Sequence, residues 1–310
     1  MDSLQSASSF LGGIKNVSLH WEVPIFSAFI YIVWVVRNNK RIKEKKEKKE
    51  ILNPQLSTSD KSKKSSSVTP KSVQLKTFIF AHNMGMSIFS MLVFKKTFEV
   101  IYTGFITLPF EKFIVDPGNQ MEKKLSPWIW IFYISKYYEV VDTLILFMSN
   151  KESSFLQMYH HAGAIVACWL VSLSESYSGW IWVVLNSFIH STMYLYYAMT
   201  VVGIRAPFKR AITFMQIGQF FVGLFFGAIY ISRETTFSSE PTLRFYQYSA
   251  IIFNIVYVII LIGLFINFER QTYRKISAKK APVTNQIELT ESVPAPVLAS
   301  KSSSALLSPS

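Results

Sequence analysis

Phe155-Leu-Gln-Met-Tyr-His-His-Ala-Gly-Ala-Ile-Val-Ala-Cys168 is an apolar run interrupted on one side only. Gln157, His160 and His161 stand at i, i+3 and i+4, so a helical turn of about 100° per residue puts them on one face. Polar, titratable groups at membrane depth are costly and turn toward a protein interior or a wet cavity. Three on one face point to a reaction site or an ion site rather than to packing.

Outward from this stretch, the 310-residue chain is half hydrophobic and rich in Phe, Tyr and Trp. Crossing roughly 30 Å of hydrocarbon takes about 20 apolar residues. Seven stretches approach that: Val23–Val36, Leu75–Phe94, Trp128–Met148, Phe155–Leu173, Gly179–Val202, Ala211–Ser232 and Phe245–Phe268. The first is short and leans on Trp21 at the interface. The expected fold class is an all-α polytopic membrane protein with seven transmembrane helices. Residues 1–22 are polar and little structure is expected there. A first span over 23–36 leads to a basic linker over 37–74. The main helical region covers 75–270, and a Ser-, Ala- and Pro-rich tail over 271–310 is expected to be disordered.

A net charge of +13 raises the question of nucleic acid, but the positives do not mark a folded face. Twelve Lys or Arg lie between Arg37 and Lys71, and the others flank the spans, the pattern of topology signals and a solvated linker. No nucleic-acid partner is expected. The charge puts the linker, the 149–154 turn, Gly203–Arg210 and the tail on the cytosolic side, with the N-terminus lumenal. The 95–125 loop is the exception, with five Lys against four acids on the lumenal side. Cys168 is the sole cysteine, which rules out an internal disulfide and a Cys-rich metal site. Asn16-Val17-Ser18 is a glycosylation sequon, usable only if that end faces a lumen.

Polar stripes recur in the later spans. Lys136, Glu139 and Asp142 follow at i, i+3 and i+6 with Thr143 beside them, spread over about 120° of one helix. Asn186, His190, Met193, Tyr194 and Tyr197 form a continuous stripe, and Thr213, Gln216 and Gln219 repeat every third residue. Singly, each has a structural explanation, as an ion pair or as interhelical hydrogen-bond glue. Together they suggest a bundle enclosing a polar chamber. Imidazole serves as nucleophile, base or metal ligand. Lys136 beside it, in a low dielectric, favours the neutral ring. Glu139 and Asp142 can orient imidazoles, and Asn, Gln and Tyr supply donors for an oxyanion or enolate. That set suits acyl transfer.

Three rivals stay open. One is a single metal on His160, His161 and His190 with a carboxylate; a desaturase-like pair of irons needs about eight histidines, and this chain has five. Another is Cys168 as nucleophile, about 10 Å along the helix from His161. The last is a seven-helix transporter or receptor with a polar pocket.

The boxes Lys136 to Thr143, Gln157 to His161, Asn186 to Tyr197 and Thr213 to Gln219 resemble, in order, those of the ELO family of very-long-chain fatty acid elongases, 3-ketoacyl-CoA synthases of the endoplasmic reticulum. The likeness covers roughly residues 75–270. It implies six helices in an inverted barrel around an acyl tunnel. It implies condensation of an acyl-CoA with malonyl-CoA to a 3-oxoacyl-CoA, CO2 and CoA. No cofactor or metal is implied beyond these substrates. The route implied is ping-pong, through an acyl-imidazole on His160. His161, His190, Lys136 and Asn186 join the catalytic set, while Glu139, Asp142, Gln157, Tyr194, Tyr197, Gln216 and Gln219 bind substrate. Implied partners are the reductases and dehydratase of the cycle, with a homodimer left open. Gln157 stands where the family usually has histidine, which leans toward polyunsaturated chains. The chain ends Leu-Ser-Pro-Ser, without the lysine-based retrieval signal of many members, so residence in the endoplasmic reticulum rests on the likeness.

Overall fold

The apolar runs do form helices. A computed structural model describes residues 2–52, 70–204, 207–233 and 237–280, and every regular element among them is helical. In order these are α1 (Asp2–Leu19), α2 (Glu22–Leu52), α3 (Pro70–Thr107), α4 (Phe110–Val115), α5 (Gln120–Tyr138), α6 (Val140–Met148), α7 (Phe155–Leu173), α8 (Trp180–Val201), α9 (Lys209–Ile231) and α10 (Pro241–Lys280). A 3-10 turn at Tyr177–Gly179 leads into α8. The chain is an all-α polytopic membrane protein.

Local chemistry sets several starts. Ser154 caps α7, its hydroxyl accepting from the Gln157 N–H at 3.1 Å. The Glu240 carboxylate accepts from the N–H groups of Thr242 and Leu243 and begins α10. Those donors hold its pKa below the usual carboxylate value. Asn119 precedes α5 but offers no side-chain cap. Asp116 does that work, accepting from Met121 N–H at 3.0 Å and Glu122 N–H at 2.8 Å.

Three helical stretches among the described residues are long and apolar enough to cross a membrane: Val73–Thr107, Lys209–Ile231 and Pro241–Gln271. A fourth is a bent pair, Phe10–Leu19 with Glu22–Leu52, at 66°. The three remaining expected spans carry the polar stripes of 136–143, 157–161 and 186–197, and those side chains lower their apolarity. Trp128–Met148, expected as one helix, breaks between α5 and α6 at Glu139, where Asp142 N–H turns back to the Glu139 carbonyl at 3.0 Å.

Other differences are local. Residues 2–19 are helical rather than unstructured, and α2 carries the first span into the basic linker as far as Leu52. α3 runs past Phe94 to Thr107, into the expected 95–125 loop. α10 continues to Lys280, past the expected start of the tail. The linker's low-complexity part, 53–69, and the tail from 281 lie outside the described residues. The chain divides into two compact units, one ending at Ile266 and one beginning at Asn267.

Within the first unit, α3 packs along α8, where Ser87 Oγ donates to the Ser191 carbonyl at 2.8 Å, and α5 and α2 pack against α7. Three apolar clusters surround the polar residues, and each lends one aromatic ring to them. The largest supplies Phe132, under the Lys136 ammonium at 3.8 Å from the ring centre. The second, built with Phe220, Val258 and Leu261, supplies Tyr257 against His160. The third, built with Val35 and Ala162, supplies Tyr31 at 6.0 Å from the His161 ring.

Candidate active site

At the α5–α6 break the chain buries an ion pair. Lys136 Nζ donates to Glu139 Oε1 at 2.6 Å and lies 3.3 Å from Asn186 Oδ1 on α8. Lys136 is 3% and Glu139 1% exposed, so both charges have left water. Such a pair costs desolvation that its own attraction barely offsets, which makes it weak evidence for stability and better evidence for a role. The histidines gather on the same carboxylate. His190 Nδ1 is 3.5 Å from Glu139 Oε1, and His161 Nδ1 is 4.0 Å from Glu139 Oε2. Glu139 Oε2 and His161 Nδ1 are both buried without a hydrogen-bond partner. The His160 ring stands 6.3 Å from that of His190 and 5.6 Å from that of His161.

His160, Lys136, Asn186 and Gln219 line one cavity of about 60 Å³, together with Cys168, Asn254 and Tyr257. That is room for a few waters or a thioester head group, not for a long acyl chain. One side is polar and able to bind charge; the other is Phe132, Trp182 and Phe220.

The structure divides the remaining predicted residues between this cluster and two others. Asp142, expected on the same side of its helix as Lys136, joins other partners. It accepts from Tyr194 OH at 2.5 Å and faces His82 Nε2 at 2.8 Å. The Tyr194 ring then meets His190 edge-on at 5.7 Å. Gln157 does not join His160; its amide donates to Thr143 Oγ1 at 3.2 Å, and that buried hydroxyl also contacts Tyr31 OH at 2.9 Å. Gln216 donates to Met193 Sδ at 3.4 Å, and Tyr197 is 43% exposed beside the Tyr194 and Tyr196 rings. Sequence reasoning missed three contributors: His82, Tyr31 and Tyr257. Only His82 carried a signal, as a histidine inside an apolar run; the two tyrosines look like packing.

Among the described residues, a metal has one candidate place. Glu139, His160 and His190 each offer a ligand atom, all within 4.8 Å of one another. His161, expected in such a set, is not part of it. The Lys136 ammonium already occupies Glu139 Oε1, so a cation there meets a fixed positive charge.

Fold and site together define a helical membrane protein with a buried Lys–Glu pair, three histidines and an asparagine at its centre. The chain belongs to the GNS1/SUR4 (ELO) family, which matches residues 16–281. Among its relatives, fatty acid elongase sre1 of Dictyostelium discoideum is 35% identical over 49% of this chain and 58% of its own length. Very long chain fatty acid elongase 5 of Tachysurus fulvidraco is 30% identical, over 70% of this chain and 72% of its own. The human very long chain fatty acid elongase 4 is 29% identical, over 68% and 66%. The chain spans about half the length of the first two relatives it matches, both from Dictyostelium, at 58% and 40%.

Proposed function

We propose that this protein is a fatty acid elongase that condenses a long-chain acyl-CoA with malonyl-CoA to a 3-oxoacyl-CoA, CO2 and CoA. The observation that carries the reading is the buried cluster in which His160 and His190 meet Glu139, Lys136 and Asn186, every one at a family box position. His160 attacks the acyl thioester, the C–S bond breaks, and CoA leaves. Decarboxylation of malonyl-CoA then yields an enolate that takes the acyl group from the ring. Lys136 and Asn186 stabilise the enolate oxygen, and His190, held on Glu139, manages the proton. Lys136 bonds to both Glu139 and Asn186, and His161 and His190 lie within 4.0 Å of that carboxylate, which favours a reaction site over a transporter's passage.

No metal takes part in this reading, because Lys136 already neutralises the only buried carboxylate in the cluster. Elongation survives a chelator; loss on chelation with rescue by one metal reverses this point. The substrate is a long acyl chain, with a lean toward polyunsaturated ones from Gln157. Feeding a panel of acids to yeast expressing the protein and profiling the products identifies the class. The protein resides in the endoplasmic reticulum membrane with the N-terminus lumenal and the C-terminus cytosolic, where basic loops meet CoA phosphates.

The test is intact-protein mass spectrometry of the enzyme mixed with acyl-CoA alone. One added acyl mass on His160 is expected, discharged when malonyl-CoA is added. His160→Ala abolishes malonyl-CoA-dependent elongation in membranes, and Cys168→Ala keeps most of it. An adduct on Cys168, which lines the same cavity, or normal turnover by His160→Ala overturns the mechanism.

A further inference from the structure

Tyr257 of α10 makes two contacts with one residue. Its hydroxyl lies 2.9 Å from the His160 carbonyl oxygen and 3.0 Å from His160 Nδ1. A carbonyl oxygen only accepts, and a tyrosine hydroxyl has one proton. That proton therefore goes to the carbonyl. The tyrosine oxygen is then left with lone pairs toward Nδ1, and the contact is attractive only if Nδ1 carries the ring hydrogen. In the other tautomer, one of the two contacts sets lone pair against lone pair.

We infer that Tyr257 is a positioning residue that fixes His160 as the Nδ1–H tautomer and leaves the Nε2 lone pair as the nucleophile. The inference rests on the acyl-imidazole reading for its consequence, though not for its geometry. Nε2 forms the C–N bond as the C–S bond breaks, and the electron pair leaves on the CoA sulfur. The Nδ1 hydrogen stays on the ring, bonded to the Tyr257 oxygen, so the acylated ring is cationic and the departing thiolate balances it.

Gly163 is part of the same device. It lies three residues after His160 on α7, and a Cβ there would run into the Tyr257 ring at Cε2 and Cδ2. Any larger residue pushes the ring, and with it the hydroxyl, away from His160. The Tyr257 ring is otherwise fixed by stacking on Tyr159 at 5.5 Å and on Phe253 at 6.3 Å. Neither neighbour supplies a hydrogen bond to the hydroxyl.

The experiment is nitrogen-15 NMR of the full-length enzyme with labelled histidine in lipid, without substrate, the His160 signals assigned by difference against His160→Ala. The wild-type ring is expected to show a protonated Nδ1 and an unprotonated Nε2. In Tyr257→Phe the two tautomers mix, and kcat falls about ten-fold or more while KM for acyl-CoA changes little. Gly163→Ala, which keeps the hydroxyl but moves it, gives the same mixed spectrum. A protonated Nε2 in the wild type overturns the inference, as does a Tyr257→Phe spectrum identical to the wild type. If the tautomer is as stated but no acyl group is found on His160, the nucleophile reading fails and the Tyr257 assignment stands. If Tyr257→Phe fails to insert, Gly163→Ala carries the spectral test, and an unchanged spectrum there counts against the inference.

Discussion

At the scale of single residues, His82 holds a second polar network beside the Lys136–Glu139 cluster. It is buried on α3, its Nε2 faces Asp142 Oδ1 at 2.8 Å, and its ring stacks obliquely on Tyr138 at 5.5 Å. His82→Ala strips the half-buried Asp142 carboxylate of one partner, which costs about 1 kcal/mol. A matching drop in melting temperature is expected in detergent, and His82→Gln, which keeps a donor, should lose less. Equal melting of wild type and His82→Ala removes the network from the account. The sequence showed Lys136, Glu139, Asn186, His160 and His190 as one site because box spacing survives without knowing how helices pair. Tyr257 and Tyr31 were not legible, since nothing in an apolar helix marks which tyrosine faces a histidine about a hundred residues away or more. Asp142, expected to orient an imidazole or balance the lysine, does meet an imidazole, that of His82, which belongs to none of the boxes.

At the scale of elements, helical phase divides the two carboxylates. Glu139 keeps helical backbone angles and its N–H bond to the Ser135 carbonyl, so Asp142 stands about 120° around and about 9 Å along from Lys136. Glu139 therefore goes to the lysine and histidines, and Asp142 to His82 and Tyr194. Contact between α8 and α9 depends on a small residue. A Cβ on Gly223 would run into the Trp182 ring, and Trp182 lines the cavity that holds His160. Gly223→Ala therefore overpacks this crossing, at a cost of about 1–3 kcal/mol, and should lower both melting temperature and turnover. Gly218→Ala, where a Cβ meets nothing within 4 Å, is the control and should melt at or above the wild type. Equal effects of the two substitutions would mean that helix propensity, not close approach, sets the result.

At the scale of the molecule, contacts sort the loops of the first unit into two groups. Asn39 and Ser153 exchange two hydrogen bonds of 2.9 Å, and Lys46 pairs with Glu152 at 2.6 Å, so the start of the basic linker sits by the 149–154 turn. At the other end Glu122 feels Lys15, Asp116 and Glu175, which brings α1, the 116–119 turn and the 174–176 turn together. Under the proposed orientation, which puts the linker end in the cytosol, protease added to sealed microsomes should remove a tag placed at 60 and spare one placed at 117. The reverse pattern inverts the orientation. Glu122 offers a second test of the far end. It lies ahead of the span that begins near Trp128, and burial, then the Glu175 and Asp116 carboxylates, push its pKa up from 4.5 to about 6, against the pull of Lys15 and Lys123. The unfolded chain gives up this proton first as pH rises. Its contribution to stability is therefore whole below about pH 4.5 and is lost as pH climbs through 6. The loss is about 1 kcal/mol once screening of a carboxyl near water is allowed for. Wild-type melting temperature should fall between pH 5 and pH 7, and Glu122→Gln, which cannot ionise, should flatten that part of the slope and melt higher at pH 7.5. A Glu122→Gln profile parallel to the wild type would show that this carboxyl is already ionised in the folded protein.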